Sequence, residues 1–171
     1  MTRSSTNAKC IGLALLVWML FGCSESGPPL ATGSLLPDFT VKSANDASKQ
    51  VSVAGLRGKP ILIDFWATWC GPCRQSMPHL QQLWQDNKDK GLEVLAITDE
   101  EPRVVAAFQT DGNIKLPCYI DDGQKASQEL KISGLPTTIV IGKDGRVIYA
   151  VEGASPDGDP ALDDAVAKAV Q

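Results

Sequence analysis

Cys70 and Cys73, written Cys-Gly-Pro-Cys, are the residues of this chain best suited to chemistry. Two intervening residues let the sulfurs close a small disulfide without unfolding a helix, and a thiolate from the pair can attack another disulfide. The segment Trp66 to Cys73 (WATWCGPC) lies where the apolar run Pro60 to Trp66 (PILIDFW) gives way to a helical pattern. Cys70 then sits at a helix N-terminus, where unpaired amides and the helix dipole favour the thiolate. Lowering a thiol pKa from about 8.5 to about 7 corresponds to roughly 2 kcal/mol of differential stabilisation. Cys70 is therefore expected to attack and Cys73, one turn inward, to resolve. Gly71 and Pro72 fill the turn, and proline is tolerated in the first helical turn because no bond is lost there.

Two other uses of the pair compete. A structural disulfide is common in exported proteins, but it does not need a strand-to-helix junction. A four-cysteine zinc site needs a second pair, and the other cysteines, Cys10, Cys23 and Cys118, supply none. No metal and no cofactor is expected. Asp64 is the odd residue in PILIDFW: a carboxylate inside an apolar strand is costly unless hydrogen-bonded or protonated, so its pKa should rise. Cys118 reads as a buried, inert thiol. His79, nine residues from Cys70, is half a turn out of phase with it and reads as a helix-surface residue. Asp99 to Glu101 and Asp121 to Asp122 read as solvated turns.

The elements that must position these residues follow from periodicity. Phe39 and Val41 alternate with polar neighbours, as do Val51 and Val53, and the polar stretch Asn45 to Lys49 between them predicts a hairpin. Pro60 to Trp66 predicts a central buried strand. Met77, Leu80, Leu83 and Trp84 mark the apolar side of the next helix, with Pro78 expected to kink it and residues 87–91 to end it. A strand follows at Leu92 to Ile97. Pro102 opens a second helix, whose apolar side is expected to be Val104, Val105 and Phe108. A short strand at Cys118 to Ile120 and a short helix at Gln124 to Leu130 come next. Strands at Thr137 to Ile141 and Arg146 to Val151 are joined through Lys143 to Gly145, and a last helix spans Ala161 to Val170. Alternating strands and helices predict a layered α/β domain around one mixed sheet, with helices on both faces and an N-terminal β-hairpin extension.

Composition is that of a globular chain: 171 residues, 43% hydrophobic and 21% charged. Sixteen basic against twenty acidic residues leave no surplus to neutralise phosphates, so no nucleic-acid partner is expected. The front of the chain departs from this average. Arg3 and Lys9 precede the uncharged stretch Cys10 to Gly22, too short for a comfortable membrane span, which is the layout of an export signal over residues 1–22. Leu20 to Cys23 (LFGC) resembles a lipobox, which implies acylation of Cys23; a plain signal anchor with an incidental cysteine is the alternative. Residues 23–35, rich in Ser, Gly and Pro, read as a tether, and residues 36–171 as the folded domain. Removing residues 1–22 takes away Arg3 and Lys9 and no acid, so the net charge moves from near −4 to near −6.

Two stretches, Gly58 to Leu80 (GKPILIDFWATWCGPCRQSMPHL) and Ser133 to Val147 (SGLPTTIVIGKDGRV), resemble the thioredoxin superfamily, and more closely its exported TlpA/ResA-type thiol-disulfide oxidoreductases. The resemblance covers roughly residues 36–171 and implies a thioredoxin fold. It implies that Pro136 is cis and that Leu135 and Pro136 form the edge on which an extended substrate pairs. It further implies that Asp64 moves a proton to or from Cys73, that Glu100 or Glu101 assists, and that Trp69 belongs to the docking surface. By the same resemblance the partners are protein thiols and disulfides, a membrane electron-donor protein that re-reduces the pair, and the membrane itself through lipid on Cys23. The implied activity is reduction of protein disulfides on the outer side of a bacterial membrane, in cytochrome c or oxidase maturation. An oxidase or isomerase of exported proteins, and a non-catalytic adaptor whose cysteines are a mere staple, remain as alternatives.

Overall fold

A computed structural model describes residues 30–153 and 158–171. The segment read as a signal, Cys23 and most of the tether lie outside the described residues. The elements are β1 (Thr40–Ser43), β2 (Gln50–Ser52), β3 (Ile61–Phe65), α1 (Gly71–Asn87), β4 (Glu93–Thr98), α2 (Pro102–Asp111), β5 (Cys118–Ile120), α3 (Lys125–Glu129), β6 (Thr137–Ile141), β7 (Val147–Glu152) and α4 (Pro160–Ala169). The strands form one seven-stranded mixed sheet in the order β2-β1-β5-β4-β3-β6-β7. β3, β4 and β5 are parallel neighbours, and β6 runs antiparallel to β3. The hairpin β1–β2 pairs Val41 with Val51, and it continues the main sheet because β1 pairs with β5.

Every side chain of β3 and β6 is buried, which is why both read as unbroken apolar runs: each strand is covered on its two faces. On one face Leu62, Val94 and Val140 pack against Met77 and Leu80 of α1, Val105 of α2 and Leu162 and Val166 of α4. On the other, Ile61, Ile63, Leu95 and Ile139 meet Ala126 of α3, Leu130 beyond it, and Phe39 and Val41. Helices thus cover both faces, as the alternation of elements predicted.

The structure departs from the sequence reading in several details. α1 continues past Pro78 as one helix of 17 residues, so the proline does not end it. In α2 the buried residue is Val105, with Phe108 partly buried, while Val104 is 39% exposed: positions three apart share a helix face and the neighbouring residue is turned away. The packed chain already begins by Leu30, ahead of the boundary expected at Leu36. Leu30 packs on the second core, Gly33 donates its amide to the Val147 carbonyl at 2.8 Å, and Leu36 donates to Gly145 at 3.0 Å. Gly145 has φ of 79°, a left-handed conformation that suits glycine, and closes the β6–β7 turn with a 2.9 Å bond to Gly142.

Candidate active site

Cys70 is the N-cap of α1, with φ of −79° and ψ of 105°, and its sulfur accepts the Cys73 amide at 3.2 Å. Cys70 and Cys73 are joined as a disulfide with their Cα atoms 5.3 Å apart. Helical spacing at the start of α1 explains the closeness, because residues three apart lie one above the other. Cys70 keeps 5% of its surface and Cys73 none, so an incoming group meets Cys70 first. Gly71 and Pro72 form the exposed first turn, and Trp69 beside them is 73% exposed. An indole that open to water is the opposite of Trp66, which is buried and packs on Phe108 with ring centroids 5.0 Å apart.

Asp64 is fully buried in β3 on the same side as Leu62, the side that faces α1. One carboxylate oxygen accepts the Thr138 hydroxyl at 2.8 Å, and the other has no partner. Burial pushes its pKa up to about 7, with the Thr138 hydrogen bond pulling the other way. β3 and β6 pair Asp64 with Thr138, β3 and β4 pair it with Ala96, and β4 and β5 pair Ala96 with Cys118, so one row crosses the sheet. Cys118 is buried as expected, and its thiol is pushed up to about 12 by burial and by the Asp64 charge.

The two glutamates separate. The Glu100 carboxylate accepts the Thr68 amide at 2.6 Å and the Thr68 hydroxyl at 2.7 Å, so it holds the loop that leads into Trp69 and Cys70. Glu101 is exposed at the N-cap of α2 and makes no capping bond with its side chain. The register left open by the sequence is settled in favour of Glu100 as the residue against the cysteine loop.

The Leu135–Pro136 peptide bond is cis. The Pro136 carbonyl accepts the Gly153 amide at 2.7 Å, and the Gly134 carbonyl accepts the Thr137 hydroxyl at 2.8 Å. Among the described residues the amide and carbonyl of Leu135 have no hydrogen-bond partner, so this residue presents a free backbone edge. A groove of about 240 Å³ runs beside it, lined by Trp66, Trp69, Phe65, Ile97, Ile132 and Leu135 among others.

One expectation is corrected here. Asp121 is no solvated turn residue: it is buried and accepts the Ala126 amide at 2.8 Å and the Ser127 amide at 2.9 Å, the bonds that anchor the start of α3. Asp122 beside it does face solvent, paired to Lys42 at 2.8 Å. His79 lies on the surface of α1 as read, bonded to Asp163 of α4 at 2.8 Å. Sequence reasoning missed the partners Thr138 and Thr68. Thr138 could have been found from the strand register opposite Asp64, whereas nothing local marks Thr68.

A disulfide at a helix N-terminus, set at the end of a central strand and beside a cis-proline edge, defines a thioredoxin-fold protein disulfide oxidoreductase. The Redoxin family model matches residues 31–169, and the chain belongs to that family. Its relatives include the thiol-disulfide oxidoreductase ResA of Bacillus thuringiensis (strain Al Hakam), 35% identical over 122 residues, which are 71% of this chain and 69% of that protein. ResA of Bacillus subtilis (strain 168) is 29% identical over 125 residues, covering 72% and 69%. Among solved structures, a protein from Chlorobium tepidum assigned as thiol:disulfide interchange protein DsbE superposes with a TM-score of 0.75 at 27% identity, covering 83% of this chain and 99% of that one. A thiol:disulfide interchange protein from Bacteroides sp. gives 0.70 at 25% identity, covering 83% and 91%. Among the described residues no helix is long and apolar enough to cross a membrane.

Proposed function

We propose that this oxidoreductase works as a reductant of protein disulfides on the outer side of a bacterial membrane, held there by lipid on Cys23. The carrying observation is the Cys70–Cys73 pair, with Cys70 the less buried of the two, at the helix N-terminus and next to the free edge at Leu135. In the reduced protein the Cys70 thiolate attacks one sulfur of the client disulfide; a mixed disulfide forms and the other client sulfur leaves as a thiolate that takes a proton. The Cys73 thiol then loses its proton to Asp64, and its thiolate attacks the Cys70 sulfur. The second client sulfur leaves as a thiolate that takes up a proton, Asp64 gives its proton up to solvent, and the enzyme has become the disulfide described above. Two electrons pass from the enzyme to the client, whose two sulfurs take up protons from solvent, and a membrane electron-donor protein returns the electrons to the enzyme.

Asp64 suits the proton-accepting role because a carboxyl pushed to about 7 can exchange a proton near neutral pH. Glu100 serves the same step by holding the Thr68 loop. Trp69, with Leu135 and Pro136, forms the docking surface. The resemblance to ResA-type proteins favours clients whose cysteines must be kept reduced during export, such as apocytochrome c or metallochaperones of cytochrome oxidase assembly.

Insulin reduction by the described domain, with Cys70→Ser as control, tests the activity; full activity in that variant would sink the assigned chemistry. A Cys73→Ala variant should accumulate a mixed disulfide through Cys70, and mass spectrometry of the adduct names the client. Recovery of nonspecific adducts only would remove the maturation role. An oxidase reading would prevail if the measured potential lay near that of a strong oxidant, about −120 mV. Incorporation of labelled palmitate, lost on Cys23→Ser, tests the lipid anchor.

A further inference from the structure

The loop before Pro136 is fastened by a side chain that neither the cysteine motif nor the family resemblance singles out. Glu152, the last residue of β7, pairs across the sheet with Thr137 and accepts the Ser133 hydroxyl at 2.5 Å. Its carboxylate lies where a side chain on Gly134 would stand: a Cβ there would come within 2.8 Å of the Glu152 Cδ. Gly134 does not need glycine for its backbone angles, because its φ is not in the left-handed region. The missing Cβ makes room for the carboxylate. Ser133 is exposed and Glu152 is exposed, so the bond contributes little to the core. Its place is what matters, since Ser133, Gly134 and Leu135 form one wall of the groove beside Trp69.

We propose that Glu152 is a positioning residue for substrate docking: through Ser133, and over the bare Cα of Gly134, its carboxylate holds the strand-like edge whose unpaired Leu135 amide and carbonyl receive an extended client. The proposal rests on the reading of Leu135 and Pro136 as the docking edge. Three bonds then define that edge from behind. Thr137 holds the Gly134 carbonyl, Gly153 holds the Pro136 carbonyl, and Glu152 holds Ser133. Of these, only the Glu152 bond joins two side chains, so it can be removed from the Ser133 side, outside the sheet. The sulfur chemistry lies on α1 and does not use it.

The test compares two reactions of the full-length reduced protein. One is insulin reduction driven by dithiothreitol, which needs a docked strand. The other is attack on a small aromatic disulfide, which does not. Glu152→Ala and Ser133→Ala should each raise the KM for insulin about fivefold, the scale of one partly solvated charge-assisted hydrogen bond, with little change in kcat. The rate with the small disulfide and the melting temperature should stay at the unmodified values. Glu152→Gln keeps an acceptor oxygen for Ser133 and should restore the KM. Gly134→Ala expels the carboxylate, so it should raise the KM in the unmodified background and add nothing on top of Glu152→Ala. An unchanged KM in Glu152→Ala overturns the proposal, and so does a parallel loss of both reactions or full additivity of the Gly134 and Glu152 substitutions. If the unmodified protein does not reduce insulin, the reductant reading falls. The same variants are then compared as oxidants of a reduced protein, and the same KM pattern is required.

Discussion

Replacing Asp64 by asparagine should remove a pH dependence of stability whose size can be worked out in advance. Burial holds the folded-state pKa near 7, against 3.8 for an ordinary aspartate. Below the unfolded value both states carry the proton. As pH rises from about 4 to about 7, the unfolded chain has released its proton while the folded chain still keeps it, so stability falls through that window and levels off above it. At about 1.4 kcal/mol per pKa unit, the gap amounts to roughly 4 kcal/mol lost by pH 8. Asparagine retains an oxygen for the Thr138 hydroxyl and cannot ionise. Its amide group occupies the place of the carboxylate oxygen that has no partner, at a pH-independent cost of about 1–3 kcal/mol. Urea unfolding of both proteins, in the same redox state at a series of pH values, gives the difference directly. That difference, variant minus parent, should shift in favour of asparagine by roughly 4 kcal/mol between pH 4 and pH 8. Other titrating groups cancel in the subtraction, and Cys118, pushed to about 12, stays protonated throughout. A difference that is flat with pH would refute the reasoning, because it would mean that Asp64 ionises in the folded protein as it does in the unfolded chain. The same variant should resolve mixed disulfides more slowly while being more stable at high pH.

Glu100→Ala leaves the Thr68 amide and hydroxyl without their acceptor and should cost about 1–3 kcal/mol in thermal or denaturant unfolding. Glu101→Ala, with no side-chain bond to lose, should stay within about 0.5 kcal/mol of the parent. Cys118 should resist alkylation up to about pH 9 in the folded protein and react only after denaturation, as mapped by peptide mass. Asp163→Asn removes a surface pairing between His79 and α4 and should change stability by less than about 1 kcal/mol.

Local pattern carried the fold a long way in this chain. The apolar runs that became β3 and β6 are buried on both sides, so they needed no neighbour to be recognised. Cys70 and Cys73 were legible for the same reason: strand, turn and helix succeed one another within a dozen residues. What resisted reading depends on residues that are far apart. Whether Glu100 or Glu101 faces the cysteine loop depends on the angle at which the chain leaves β4, and one residue of slip reverses the answer. Asp121 looked like part of an acidic turn because its partners, the amides of Ala126 and Ser127 and the Ser127 hydroxyl, lie five and six residues along the chain, beyond the turn itself. Val104 looked apolar enough to be buried, but only tertiary packing decides which side of α2 meets Trp66.

The Gly33–Leu36 segment gives the molecule a polarity. It fastens to Val147 and Gly145, beside the turn that joins β6 to β7. In the paired strands Ile61 and Ile141 lie at that end, while Phe65 and Thr137, which lead to the cysteines and to Pro136, lie at the other. Any pull exerted through residues 1–29 therefore enters the domain at the pole opposite its reactive sulfurs and runs along the full length of the central strands. The point where the described chain enters the domain and its working end are kept apart by the height of the sheet.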